Sequence, residues 1–94
     1  MVHAEQKIKN LLRLVAQQKA SDLHLNVGRY PTFRIDGRLV PYSQDKILSS
    51  SEIKEICDVI LKEEGRKKLL DEGQADFSYN FEDKARFRVN AFFQ

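Results

Sequence analysis

From Ala75 to Phe93 apolar and polar residues alternate almost without a break. Ala75, Phe77, Tyr79 and Phe81 alternate with Asp76, Ser78 and Asn80; after Glu82-Asp83-Lys84, Ala85, Phe87, Val89, Ala91 and Phe93 alternate with Arg86, Arg88, Asn90 and Phe92. A period of two is the signature of a strand with one buried face. Two such strands around a short polar loop predict an antiparallel hairpin whose fatty face must be covered by something else. A three-residue loop pairs Phe81 with Ala85. It then sets Asn80 opposite Arg86, Ser78 opposite Arg88 and Asp76 opposite Asn90. No turn or polar tail closes the pattern before Gln94. A Phe-rich strand left as a bare edge invites aggregation, so Gln94 is expected to be a cut within a longer protein.

The rest of the chain supplies the cover and more strands. Ala4, Ile8, Leu11, Leu12 and Val15 recur at helical spacing, predicting an amphipathic helix over 4–18. Asp22 to Val27 alternates, with Leu23, Leu25 and Val27 inward, and Thr32 to Ile35 alternates again, with Phe33 and Ile35 inward and Arg34 on the other face. Asp36-Gly37 is a hairpin signal. A two-residue loop there would put Leu39 on the polar face of Arg34, so a three-residue loop or a bulge is expected instead. Ser49-x-x-Glu52 is a capping box, flanked by Leu48 and Ile53 as a hydrophobic staple. The helix it opens is expected to bury Ile53, Ile56, Val59 and Ile60. A short charged helix is expected over 65–72, ended by Gly73.

Size and composition narrow the function. With 94 residues, 41% apolar and 32% charged, the chain is one ordinary globular domain, 1–94. The net charge of +2 is spread along the chain, and Arg66-Lys67-Lys68 is the one basic block, so charge gives nucleic-acid binding little support. The stretch Arg86 to Phe93 has a faint likeness to an RNA-recognition strand but lacks its glycines, and its alternation puts Phe87 on the apolar face. The single cysteine, Cys57, makes no internal disulfide and sits beside the second helix's apolar stripe; a core role in a reducing compartment is expected. No apolar run reaches the roughly 18 residues of a membrane span, and the first residues lack the apolar core expected of a signal peptide. The four glycines, Gly28, Gly37, Gly65 and Gly73, build neither a P-loop nor a G-x-G-x-x-G turn. No nucleophile–histidine arrangement stands out, and no catalytic site is expected in these residues alone.

The candidates that remain lie on the polar sides of the strands. Arg86 and Arg88 project from one strand face with Asn90 next in line, and Arg34 occupies the outer face of another strand. Guanidinium forks suit phosphate oxygens. The competing reading is cross-strand ion pairing, because Asp76 lies diagonally from Arg88. Asp22 and His24 share a face, but two ligands are too few for a typical zinc site; with His3 near the terminus, no metal site is expected. A structural Asp–His or His–Arg hydrogen bond is the expected role of the pair, and Asp36 is expected to serve the turn.

Four segments occur in order: Ala20-Ser21-Asp22-Leu23-His24-Leu25, Pro31-x-x-Arg34-Ile35-Asp36-Gly37, Asp76-Phe77-Ser78-Tyr79, and Ala85-Arg86-Phe87-Arg88-Val89-Asn90-x-Phe92-x-Gln94. In this order and spacing the chain resembles the amino-terminal domain of the type IV pilus retraction ATPases, within the type II/IV secretion ATPase superfamily. The resemblance implies an α+β, PAS-like two-layer domain, an antiparallel sheet with helices packed on it. It implies a parent that is a cytoplasmic homohexameric motor, peripheral to the bacterial inner membrane, driving pilus retraction and twitching motility. Its partners would be its own RecA-like domain, neighbouring subunits and inner-membrane platform proteins, with no nucleic acid and no direct membrane insertion. ATP and Mg would be bound mainly by the RecA-like ATPase domain, which is absent from this chain, so the chain alone is expected to be inactive and to hold no cofactor. Carried over by position, the nucleotide-phosphate contacts implied are Arg34, Arg86 and Arg88, with Asp22, His24, Asp36 and Asn90 as structural polar residues. The alternative is a stand-alone PAS-like ligand-sensing or protein-interaction module, which requires a cavity among Phe33, Phe77, Tyr79 and Phe87 or an exposed apolar face.

Overall fold

The computed structural model describes residues 2–61 and 63–93, with side chains from residue 5 onward. Gln94 and the side chains of His3 and Ala4 lie outside the described residues. The elements run α1 (Val2–Gln17), β1 (Asp22–Asn26), β2 (Thr32–Ile35), β3 (Arg38–Pro41), α2 (Ser50–Ile60), α3 (Glu63–Glu72), β4 (Gln74–Phe81) and β5 (Ala85–Phe92). The strands form one five-stranded sheet in the order β3-β2-β1-β5-β4. The helices cover its apolar face, giving the α+β two-layer architecture expected from the sequence.

Periodicity locates the core well. Ile8, Leu11, Leu12 and Val15 of α1 are buried against Leu23, Leu25, Phe33, Phe87 and Val89 of the sheet. The β4–β5 register is the one the alternation dictates, with Phe81 facing Ala85, Asn80 facing Arg86, Ser78 facing Arg88 and Asp76 facing Asn90. The capping box is formed: the Ser49 hydroxyl accepts from the Glu52 amide and the Glu52 carboxylate accepts from the Ser49 amide. Leu48 and Ile53, the two halves of the staple, are both buried. The segment leading into α2 is tied to the β1–β2 turn, since Gly28 N–H donates to the Leu48 carbonyl and Leu48 N–H to that of Arg29, both at 2.8 Å.

Four details correct the sequence reading. The sheet is mixed rather than wholly antiparallel: β1 pairs with β5 in parallel, Leu23 beside Val89 and His24 beside Asn90. Alternation fixes each hairpin by itself, whereas the way two hairpin units join depends on the α2–α3 crossover between them, and only a long connection permits a parallel pair. The β2–β3 loop has two residues, so Arg34 faces Leu39 and Ile35 faces Arg38. Asp36 (φ 51°) and Gly37 (φ 77°) both take left-handed backbone, the geometry of the tight turn whose twist matches that of the strands. Leu39 is consequently left 55% exposed on the edge strand. Turn chemistry outweighs the burial of one leucine there.

In α2, Ile53, Ile56 and Cys57 are buried while Val59 is 41% exposed. Residues at i, i+3 and i+4 share a helical face, and Val59 at i+6 lies well off it. Finally, α3 begins at Glu63 and takes in Gly65 rather than starting there. A Cβ at Gly65 would stand 2.9 Å from Leu61 Cδ2, so the glycine serves close packing against the end of α2.

Candidate functional site

The face of the sheet opposite the helices carries the polar halves of all these alternations. Register places Leu39, Arg34, Asp22, Arg88 and Ser78 across one row of the five strands. The next row holds Pro41, Thr32, His24, Asn90 and Asp76. Arg86 faces Asn80 one step further along the β4–β5 hairpin. Arg34, Arg86 and Arg88 therefore share one face, as strand parity requires. Asp22 stands between Arg34 and Arg88, on the central strand.

The three arginines are not equivalent. Arg88 is clamped by Asp76 in a bidentate pair, Nε to Oδ1 at 2.8 Å and Nη2 to Oδ2 at 2.7 Å. This is the diagonal cross-strand contact that the register allows. The Arg88 hydrogen bond holds the Asp76 carboxyl below its ordinary range, and the same bond pushes the guanidinium further up. Arg34 is held more loosely, its Nε 3.4 Å from Asp22 Oδ2 and its Nη1 donating to the Gly37 carbonyl at 3.2 Å. Arg86 is exposed, and no hydrogen bond or ion pair joins its side chain to another described residue.

The expected Asp22–His24 hydrogen bond is not formed. His24 Nε2 lies 3.7 Å from Asp22 Oδ2, beyond hydrogen-bonding distance, and is buried without a partner among the described residues. Asp22 Oδ2 lies nearer Arg34, 3.4 Å from its Nε. Asp36 occupies the first of the two turn positions. Asn90 is half-buried between His24 and Asp76 in register. Among the described residues no three histidine, cysteine or carboxylate side chains gather as a metal site would need.

The pairing that sequence reasoning missed lies on the helical side. Lys7 of α1 donates to Glu52 at 3.1 Å and approaches Asp45 at 3.4 Å, tying α1 to the cap of α2. Nothing in the sequence announces a contact between residues so far apart. The aromatic residues of the alternative reading do not gather round a shared cavity, because the buried Leu23 and Val89 occupy the row between Phe33 and Phe77. Phe33 stacks on Tyr42 with ring centroids 5.8 Å apart, and Tyr79 meets Phe87 at 5.9 Å.

No protein-family model matches the chain. Individual relatives do. The type IV pilus retraction ATPase PilT of Pseudomonas aeruginosa is 37% identical over 87 residues, 93% of this chain. This chain is a homologue of the type IV pilus ATPases. The pilus ATPase PilU of the same organism is 28% identical over 88 residues, 94% of the chain. A crystal structure of the pilus retraction motor PilT with bound ADP superposes with a TM-score of 0.70 at 30% identity over 92% of the chain. The chain spans about a quarter of each of these pilus ATPases: 23% of PilU, 25% of PilT and 25% of the solved PilT chain. No helix among the described residues is long and apolar enough to cross a membrane.

Proposed function

We propose that this chain is the amino-terminal, PAS-like domain of an ATP-driven motor for pilus retraction and twitching motility. In this reading it clamps nucleotide from outside the catalytic domain and passes domain motion around a homohexameric ring. One observation carries the reading: three arginines share the sheet face that the helices leave uncovered, and one of them, Arg86, has no carboxylate partner among the described residues. A second domain docked on that face would bring a triphosphate to a surface already furnished with guanidinium forks. Donors of this kind, once aimed at a transferring phosphoryl group, stabilise the charge that develops on it. ATP and Mg would be held mainly by the RecA-like domain, and this chain's own residues would contribute orientation and charge. The motor would work in the cytoplasm against inner-membrane platform proteins.

The test is alanine substitution of Arg34, Arg86 and Arg88, one at a time, in a full-length motor carrying this domain. At least one variant is expected to lower ATP turnover about tenfold or more, the range that loss of a transition-state contact produces. Wild-type turnover in all three would remove the clamping role. A stand-alone ligand sensor is disfavoured by the filled row between Phe33 and Phe77.

A further inference from the structure

The polar face contains its own competitor for phosphate. The Asp76 carboxylate takes the Nε–Nη2 edge of Arg88 with two bonds of 2.8 and 2.7 Å, an edge that a phosphate would grip in the same bidentate way. Both ligands cannot hold it together. Asp22, facing Arg88 across the β1–β5 pair and 3.4 Å from Arg34 Nε, adds a second negative charge to the face. The two carboxylates compensate Arg34 and Arg88 and leave the uncompensated charge on Arg86. The pair is nonetheless a surface one, with the Arg88 and Asp76 side chains 59% and 46% exposed, so water screens it and exchange is cheap.

We propose that Asp76 is a positioning residue that acts as a resident counter-ion. It holds the Arg88 guanidinium across the β4–β5 pair until an incoming phosphate displaces it. Arg86 is then the first contact, and Arg88 engages only after exchange. This inference rests on the phosphate-contact reading and adds an order of engagement and a residue that sets the affinity. Asp76→Asn keeps the shape of the side chain while removing the charge that competes with phosphate.

Inorganic pyrophosphate is titrated into the 94-residue chain at low ionic strength, followed by calorimetry and by the arginine Nε–H resonances. Asp76→Asn is expected to tighten binding about three- to tenfold, the scale of one close like-charge repulsion in water. Asp71→Asn removes an equal charge from the exposed side of α3 and is expected to change affinity by less than about twofold. The gain from Asp76→Asn is expected to vanish in an Arg88→Gln background, and the wild-type Arg88 Nε–H signal is expected to shift only after that of Arg86. If Asp76→Asn binds no tighter than wild type while Arg86→Gln and Arg88→Gln both weaken binding, the counter-ion role is wrong and the phosphate-contact reading stands. If pyrophosphate affinity is indifferent to all three changes, both fall together. Equal gains in the Asp76 and Asp71 variants would reduce the effect to net charge and overturn the role of Asp76.

Discussion

Val89 and Val59 offer the same chemical change in opposite surroundings. Val89 is fully buried in the middle of the sheet, between Leu23 on β1 and Phe77 on β4, beneath the helices. Val89→Ala removes two carbons, worth about 1.6 kcal/mol at roughly 0.8 kcal/mol per buried methylene. The cavity left behind adds roughly 1 kcal/mol, since neighbouring strands cannot close on it fully. About 2–3 kcal/mol in a domain of this size corresponds to a fall in Tm of roughly 10–20 °C. Val59 is 41% exposed on α2, where alanine loses little burial and is the better helix former. Val59→Ala is therefore expected to lie within about 0.5 kcal/mol of wild type. Urea unfolding of both variants, with thermal melts alongside, separates them, and the m-value should stay constant if both remain two-state. A loss in Val59→Ala matching that in Val89→Ala would refute the account of α2 in which Cys57 rather than Val59 completes the buried stripe.

Acid should weaken the fold through Glu52 and Asp76. Burial pushes the Glu52 carboxyl up, but the bonds from Lys7 and from the Ser49 amide outweigh it and leave the group below its ordinary value; Asp76 is lowered by Arg88. Groups lowered on folding stabilise above their unfolded pKa values of about 4 and lose that contribution as pH falls through the folded ones. Stability is thus expected to be level from neutral pH down to about 5 and to fall below it, with a shallower fall in Glu52→Gln, measured by urea midpoints against pH. Burial, with the charge of Asp58 as a smaller cause, pushes the Cys57 thiol up to about 12, so a thiol reagent at pH 8 should label it only on unfolding. Gly37→Ala meets no atom within 4 Å and is strained only by its φ of 77°, so a cost of about 1 kcal/mol in chemical denaturation is expected, with the β2–β3 register unchanged by NMR.

Much of the site was legible in the sequence for one reason. Strand parity is a local property, so Arg86 and Arg88 on one face, and their partners Asn80 and Ser78, follow from alternation and a loop length. What parity does not convey is which charges meet. Arg88 chooses Asp76, diagonally placed, over an approach to Asp22 directly across from it, and Asp22 turns to Arg34 rather than His24. Those choices depend on side-chain reach across strands that are far apart in the chain.

Local chemistry alone determined the apolar face of α1, the Ser49 cap, the β4–β5 register and the side of each strand on which the arginines stand, because each depends on residues within a few positions of one another. The tertiary structure decided that β1 and β5 run in parallel, that Lys7 reaches the α2 cap, and that Arg86 alone of the three arginines is left without a carboxylate among the described residues. These outcomes depend on how separate units dock, and docking is settled by the summed burial of a whole apolar face rather than by any short stretch of sequence.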